Sequence, residues 1–150
     1  MFNGGWRLKI KITQNNPNLI LAVRQWGCYF LCIHYYIGNF KKLQFSVNDI
    51  NKNYHNFVKS GCMRSNCYIL NPCAVLRRFD ISTSVRWENY AYRCLNGEFE
   101  MSEVKIKGVL GYHFMATNVS FVLYDSLTLK DRGVEYEITS RRIFKKYLNY

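Results

Sequence analysis

The chain has 150 residues, 49% of them apolar and 17% aromatic, which suits one domain with a sizeable core and excludes a disordered chain. Its 21 Lys and Arg against 10 Asp and Glu give a formal charge of +11, a balance that raises affinity for polyanions such as nucleic acid. The basic residues are scattered rather than gathered into a run, so no nucleic-acid tail is present and the charge reads as a solvated basic face.

Residues 1–13 alternate Leu8, Ile10 and Ile12 with Arg7, Lys9 and Lys11, the period of a strand. They contain neither the continuous apolar stretch nor the small-residue cleavage site of a secretory signal. The expectation is a cytoplasmic protein whose six cysteines (28, 32, 62, 67, 73 and 94) are free thiols rather than three bridges. Asn15-Asn16-Pro17-Asn18 is a loop. Residues 19–37 have about the length of a bilayer span. Arg24, Gln25 and His34 inside them are costly in hydrocarbon, and Gly27 divides them, so no span is expected.

Beyond Gly27, residues 28–37 read as a helix, apolar nearly all round and therefore buried, ended by Gly38-Asn39. Residues 46–59 carry Val47, Ile50, Tyr54, Phe57 and Val58 at helical spacing. Asn71-Pro72 reads as an N-cap with proline at the first helical position, opening a short helix to Phe79. From Trp87 the period becomes two, and strands are expected over 99–101, 104–107, 109–118, 121–124 and 134–138, with residues 141–148 open to strand or helix. Helices first and antiparallel strands second make an α+β fold of one domain over residues 1–150, with residues 1–18 as its N-terminal strand and loop.

Cys28 stands where the polar Arg24-Gln25-Trp26-Gly27 runs into the apolar helix. A thiol in a helix's first turn faces unpaired backbone N–H groups and the positive end of the dipole, and both favour thiolate. If residues 112–117 and 121–125 form a hairpin with a three-residue turn, His113 lies directly opposite Asp125, their Cβ atoms about 5 Å apart. That arrangement suits a base, His113, oriented by a carboxylate, Asp125.

A cysteine opening a buried helix, Gly111-Tyr112-His113-Phe114-Met115 at a later strand and Leu123-Tyr124-Asp125-Ser126 after the next resemble the papain-like cysteine peptidases, in particular the bacteriocin-leader-processing type. The whole chain, through Arg24-Gln25-Trp26-Gly27-Cys28-Tyr29-Phe30, Asn66-Cys67-Tyr68-Ile69 and Arg142-Ile143-Phe144, also resembles an uncharacterised family encoded on Borrelia plasmids. The first resemblance implies a papain-like fold with Cys28 as nucleophile, His113 as base and acid, Asp125 as orienting residue and Gln25 as oxyanion donor. Gln25 stands closer to its cysteine than the glutamine of papain-type sites usually does, and Tyr29 replaces the usual glycine.

Cys32, one turn on from Cys28, reads as core or as a resolving thiol, and His34 and His55 read as structural. Cys62, Cys67 and Cys73 lack the tight spacing of zinc knuckles, and no glycine-rich phosphate loop is present, so neither metal nor cofactor is expected. Two functions are compatible with these features. One is a thiol hydrolase acting on an amide bond of a peptide or a peptidoglycan cross-link. The alternative is a non-enzymatic, prophage- or plasmid-derived binding protein whose basic, aromatic surface holds nucleic acid or another protein.

Overall fold

A computed structural model describes residues 12–147; of the strand expected over residues 1–13, residues 1–11 lie outside the described residues, and residues 12 and 13 are not in a strand. Residues 12–20 form turns. The helices are α1 (Leu21–Trp26), α2 (Cys28–Lys41), α3 (Val47–Lys59) and α4 (Pro72–Arg77). The strands are β1 (Thr83–Asn89), β2 (Glu98–Ile106), β3 (His113–Asn118), β4 (Phe121–Tyr124) and β5 (Tyr136–Lys146). All pair antiparallel in the order β1-β5-β2-β3-β4, so β5 lies between β1 and β2. The α+β class is as expected.

Local signals set several helix ends. The Ser46 hydroxyl accepts from the Asp49 N–H at 3.0 Å, and Asp49 accepts from the Ser46 N–H at 2.8 Å, a reciprocal capping box for α3. Asn71 accepts from the Ala74 N–H at 3.0 Å and Pro72 takes the first position of α4, as expected. Helix α2 continues past Gly38-Asn39 to Lys41 and stops where Lys42 turns left-handed. The extra turn lets Phe40 pack on Tyr36 and Phe99, a tertiary contact that outweighs the local stop signal.

The main core lies between the helices and one face of the sheet. Phe30, Leu31, Ile33 and Ile37 of α2 are fully buried with Ile50, Phe57, Met101, Ala116 and Phe144. Val104, Ile106, Met115 and Leu129 form a smaller cluster of their own. Across the sheet, Arg141 is buried and reaches Glu100 at 2.5 Å, Ser102 at 3.1 Å and the Val119 carbonyl at 2.8 Å.

His34 is buried in α2, where its Nδ1–H donates to the Phe30 carbonyl at 2.9 Å and Nε2 accepts from Asn53 at 3.0 Å. Burial pushes the imidazole down to about 4, so it is neutral in the folded protein. A pKa depressed below its ordinary value contributes stability that is complete above about pH 6.5 and is lost as pH falls towards 4. Thermal melts should therefore show Tm falling between about pH 7 and pH 4.5, and the fall should be shallower in His34→Gln.

Candidate active site

The chain turns sharply between α1 and α2 because Gly27 has no side chain. Its N–H donates to the Val23 carbonyl at 2.9 Å, and a Cβ there would lie 2.5 Å from that oxygen and 2.8 Å from Val23 Cγ1. Cys28 is thereby placed as the first residue of α2. The Leu31 N–H makes the first helical bond, to Gly27 at 2.8 Å, leaving the N–H groups of Cys28, Tyr29 and Phe30 ahead of it without an intrahelical acceptor.

Opposite that turn lies the start of β3. Strand β4 has four residues and pairs with β3 only as far as Ala116, so residues 113–115 have one edge without a strand. Helix α2 closes on it: the Cys32 S–H donates to the Phe114 carbonyl at 3.6 Å, and Tyr29 meets the Phe114 ring edge to face at 5.0 Å. The hairpin turn is Val119-Ser120, two residues rather than the expected three, and a bulge between Ala116 and Thr117 shifts the register. Asp125 therefore does not face His113 across a ladder. It follows the end of β4 in a turn, where it accepts from the N–H groups of Leu127 at 2.9 Å and Leu129 at 2.8 Å. From there Asp125 Oδ1 lies 2.7 Å from His113 Nε2.

Cys28 lies close enough to His113 for its sulfur to act on the imidazole. With Nε2 held by Asp125, Nδ1 is the nitrogen left for the thiol. Burial alone would lower His113, but the hydrogen bond to Asp125, the neighbouring Cys28 sulfur and the charges of both carry it up to about 9. Burial likewise acts to raise Asp125, and its bonds to His113, Leu129 and Leu127 outweigh it, leaving the carboxyl below its ordinary value. An imidazolium between a carboxylate and a sulfur is thus the stable state near neutral pH. His113 is 4% exposed, whereas Cys28 reaches the surface of a groove.

That groove has a volume of about 710 Å³ and lies where the helices stop short over the sheet. Trp87, Arg142, Glu103 and Phe114, from β1, β5, β2 and β3, line it. Trp87 pairs with Arg142 and Glu103 with Phe114, while Arg142 bonds Glu103 at 3.1 Å and lies over the Phe114 ring at 5.4 Å. Cys28, Tyr29, Trp26, Tyr68 and Asn66 line it from the helices and the loop after α3.

Cys28, His113 and Asp125 are brought together. Gln25 is exposed on α1 and is not among the groove residues; the side-chain amide lining the groove is Asn66, whose Oδ1 accepts from the Tyr68 N–H at 3.1 Å. Cys32 is fully buried, and burial pushes its thiol well up, with the charges of Cys28 and Asp125 adding to the effect. No cluster of three or more metal-binding side chains occurs among the described residues, nor is any helix there long and apolar enough to cross a membrane. Sequence reasoning missed the groove. The available signal was aromatic rings flanked by charged residues or glycine, as in Arg86-Trp87-Glu88 and Gly111-Tyr112.

Two measurements check this geometry. Gly27→Ala should cost about 1–3 kcal/mol by denaturant titration, because Val23 must move. His113, raised above its ordinary 6.5, contributes stability that is complete below about pH 6.5 and lost as pH rises through about 9, on the order of 3 kcal/mol in all. The stability difference between wild type and His113→Gln in urea titrations should accordingly shrink between about pH 6 and pH 10.

No curated protein and no solved structure matches the chain. Residues 9–146 match the family described as "Protein of unknown function, DUF261", and the chain belongs to that family.

Proposed function

We propose that the chain is a papain-like thiol hydrolase that cleaves an amide bond in a peptide or in a peptide cross-link of the peptidoglycan kind. The observation that carries this reading is the line from Asp125 through His113 to Cys28, which is buried at the carboxylate end and opens into a groove at the sulfur.

In the reaction the Cys28 sulfur bonds to the substrate's carbonyl carbon while His113 holds the thiol proton as imidazolium. The Cys28 N–H donates to the developing oxyanion, and the Asn66 amide is the side-chain amide of the same groove available to it. Collapse of the tetrahedral adduct breaks the C–N bond, and His113 passes its proton to the leaving amine. Water, deprotonated by His113, then attacks the thioester and frees the acid, returning the proton to sulfur. Asp125 stays ionised throughout and orients the ring.

The binding-protein alternative rests on the net charge, and the groove gives it little support. Its two arginines are already committed, Arg142 to Glu103 and Arg86 to Glu88 and Glu98.

Iodoacetamide at about pH 6.5, read by peptide mass mapping, should alkylate Cys28 at least about tenfold faster than Cys94. Burial and the neighbouring Glu100 push the Cys94 thiol up to about 12. His113→Ala should remove the preference. A Cys28 that reacts no faster than Cys94 would overturn the proposal.

A further inference from the structure

We infer that the edge of β1, unpaired among the described residues, is a docking strand for an extended peptide segment of the substrate without acidic side chains, lying beside the groove that contains Cys28. The fate of that peptide rests on the hydrolase reading above; its docking does not.

The hydrogen-bond parity of β1 carries the inference. The Tyr147 N–H donates to the Ser82 carbonyl at 2.9 Å, so Ser82 faces β5. In an antiparallel ladder, residues alternate between bonding the neighbour and pointing away from it. With Thr83 paired to Lys146, the residues bonded to β5 are Ser84, Arg86 and Glu88. Both backbone groups of Val85 and Trp87 therefore point to the open side, where no strand pairs among the described residues. The Lys146 N–H donates instead to Gly97 at 2.8 Å, on the β2 side, as this parity requires.

An exposed edge is usually shortened, bulged or blocked by proline or lysine. Strand β4, at the other edge, is four residues long. Strand β1 has seven residues, Thr-Ser-Val-Arg-Trp-Glu-Asn, with no proline, no lysine and no register shift against β5. Val85, Arg86 and Trp87 all line the groove, and Trp87 is 61% exposed. Arg86 is paired with both Glu88 and Glu98, each at 2.9 Å, which leaves one negative charge in excess, so the edge disfavours an acidic partner.

A segment paired there would continue the sheet by one strand, its alternate side chains beside the Trp87 ring. From the added strand the groove crosses four strand spacings, about 19 Å, to β3 and the Cys28 wall. A peptide chain of about six further residues spans that distance.

The test uses full-length protein with Cys28→Ala, which binds without turnover, panned against a displayed random-heptapeptide library. Peptides with apolar side chains at alternate positions should be enriched. Methylating the backbone nitrogens of the best synthetic peptide should cut affinity about tenfold at alternate positions and spare those between. Val85→Pro removes an outward N–H while leaving the β5 ladder intact, and should cost about tenfold where Val85→Ala costs less than about threefold. Circular dichroism checks that each variant folds.

Indifference to every methylation, or to Val85→Pro, overturns the docking strand. So does a dimer in solution that Val85→Pro splits, which assigns the edge to a second copy, or binding confined to an N-acetylglucosamine tetrasaccharide. Iodoacetamide trapping of wild-type Cys28 reports the hydrolase reading by itself: a reactive Cys28 without strand pairing removes only the docking strand, and strand pairing with an inert Cys28 removes only the hydrolysis.

Discussion

Helix α2 has almost no polar face to offer water, and the rest of the structure is arranged to cover it. Its residues Phe30 through Gly38 are buried without interruption, each large apolar side chain contributing about 1.5–3 kcal/mol relative to exposure. Covering it takes α3 and α4 on one side and the sheet on the other. The one imidazole on this stretch, His34, keeps both nitrogens bonded and gives up its charge. Because α2 must enter this core at one angle, its first residue is fixed as firmly as its middle. Cys28 inherits its position from a packing requirement.

The sheet meets a matching demand with polar bonds. Arg141 and Glu100 are both buried, and a buried ion pair stabilises little unless its remaining hydrogen-bonding groups are satisfied. Here they are: Glu100 also accepts from Thr117 at 2.6 Å and from the Val119 N–H at 3.1 Å, and Arg141 donates to the Tyr90 carbonyl at 2.8 Å. The network fastens the β3–β4 turn to β2 and β5. That turn leads through β4 to Asp125, so an ion pair remote from the thiol helps hold the carboxylate that orients His113.

Features written in neighbouring residues were legible in the sequence. The start of α4 at Asn71-Pro72 and the amphipathic stripe of α3 are such features, and so was the all-apolar character that marks α2 as the central helix. Features written in distant partners were not. Strand β5 looked like two pieces because Arg141 and Arg142 interrupt its apolar pattern, although Arg141 is buried against a glutamate 41 positions away. Strand β1 escaped because Ser84 to Trp87 are exposed, which removes the alternation by which half-buried strands are recognised. At the site, residue types and chain order pointed to Cys28, His113 and Asp125, while the bulge that defeats simple register counting left no mark in composition. The groove was hidden for another reason: no sequence period separates a tyrosine that fills a core from one that lines a cleft.

The place of β5 in the sheet has a consequence for the order in which the molecule can be assembled. Strands β1 and β2 are consecutive in sequence, yet they never touch, because β5 lies between them. During synthesis the helices and β1 to β4 emerge before β5, the last of the described elements. Until it inserts, Trp87 has no fixed relation to Glu103 or Phe114, and Arg142 is not yet there to join them. The thiol, the imidazole and the carboxylate can meet on a growing chain, but the surface that would present a substrate to them waits for β5. A nascent molecule would hold the chemistry without the means to aim it.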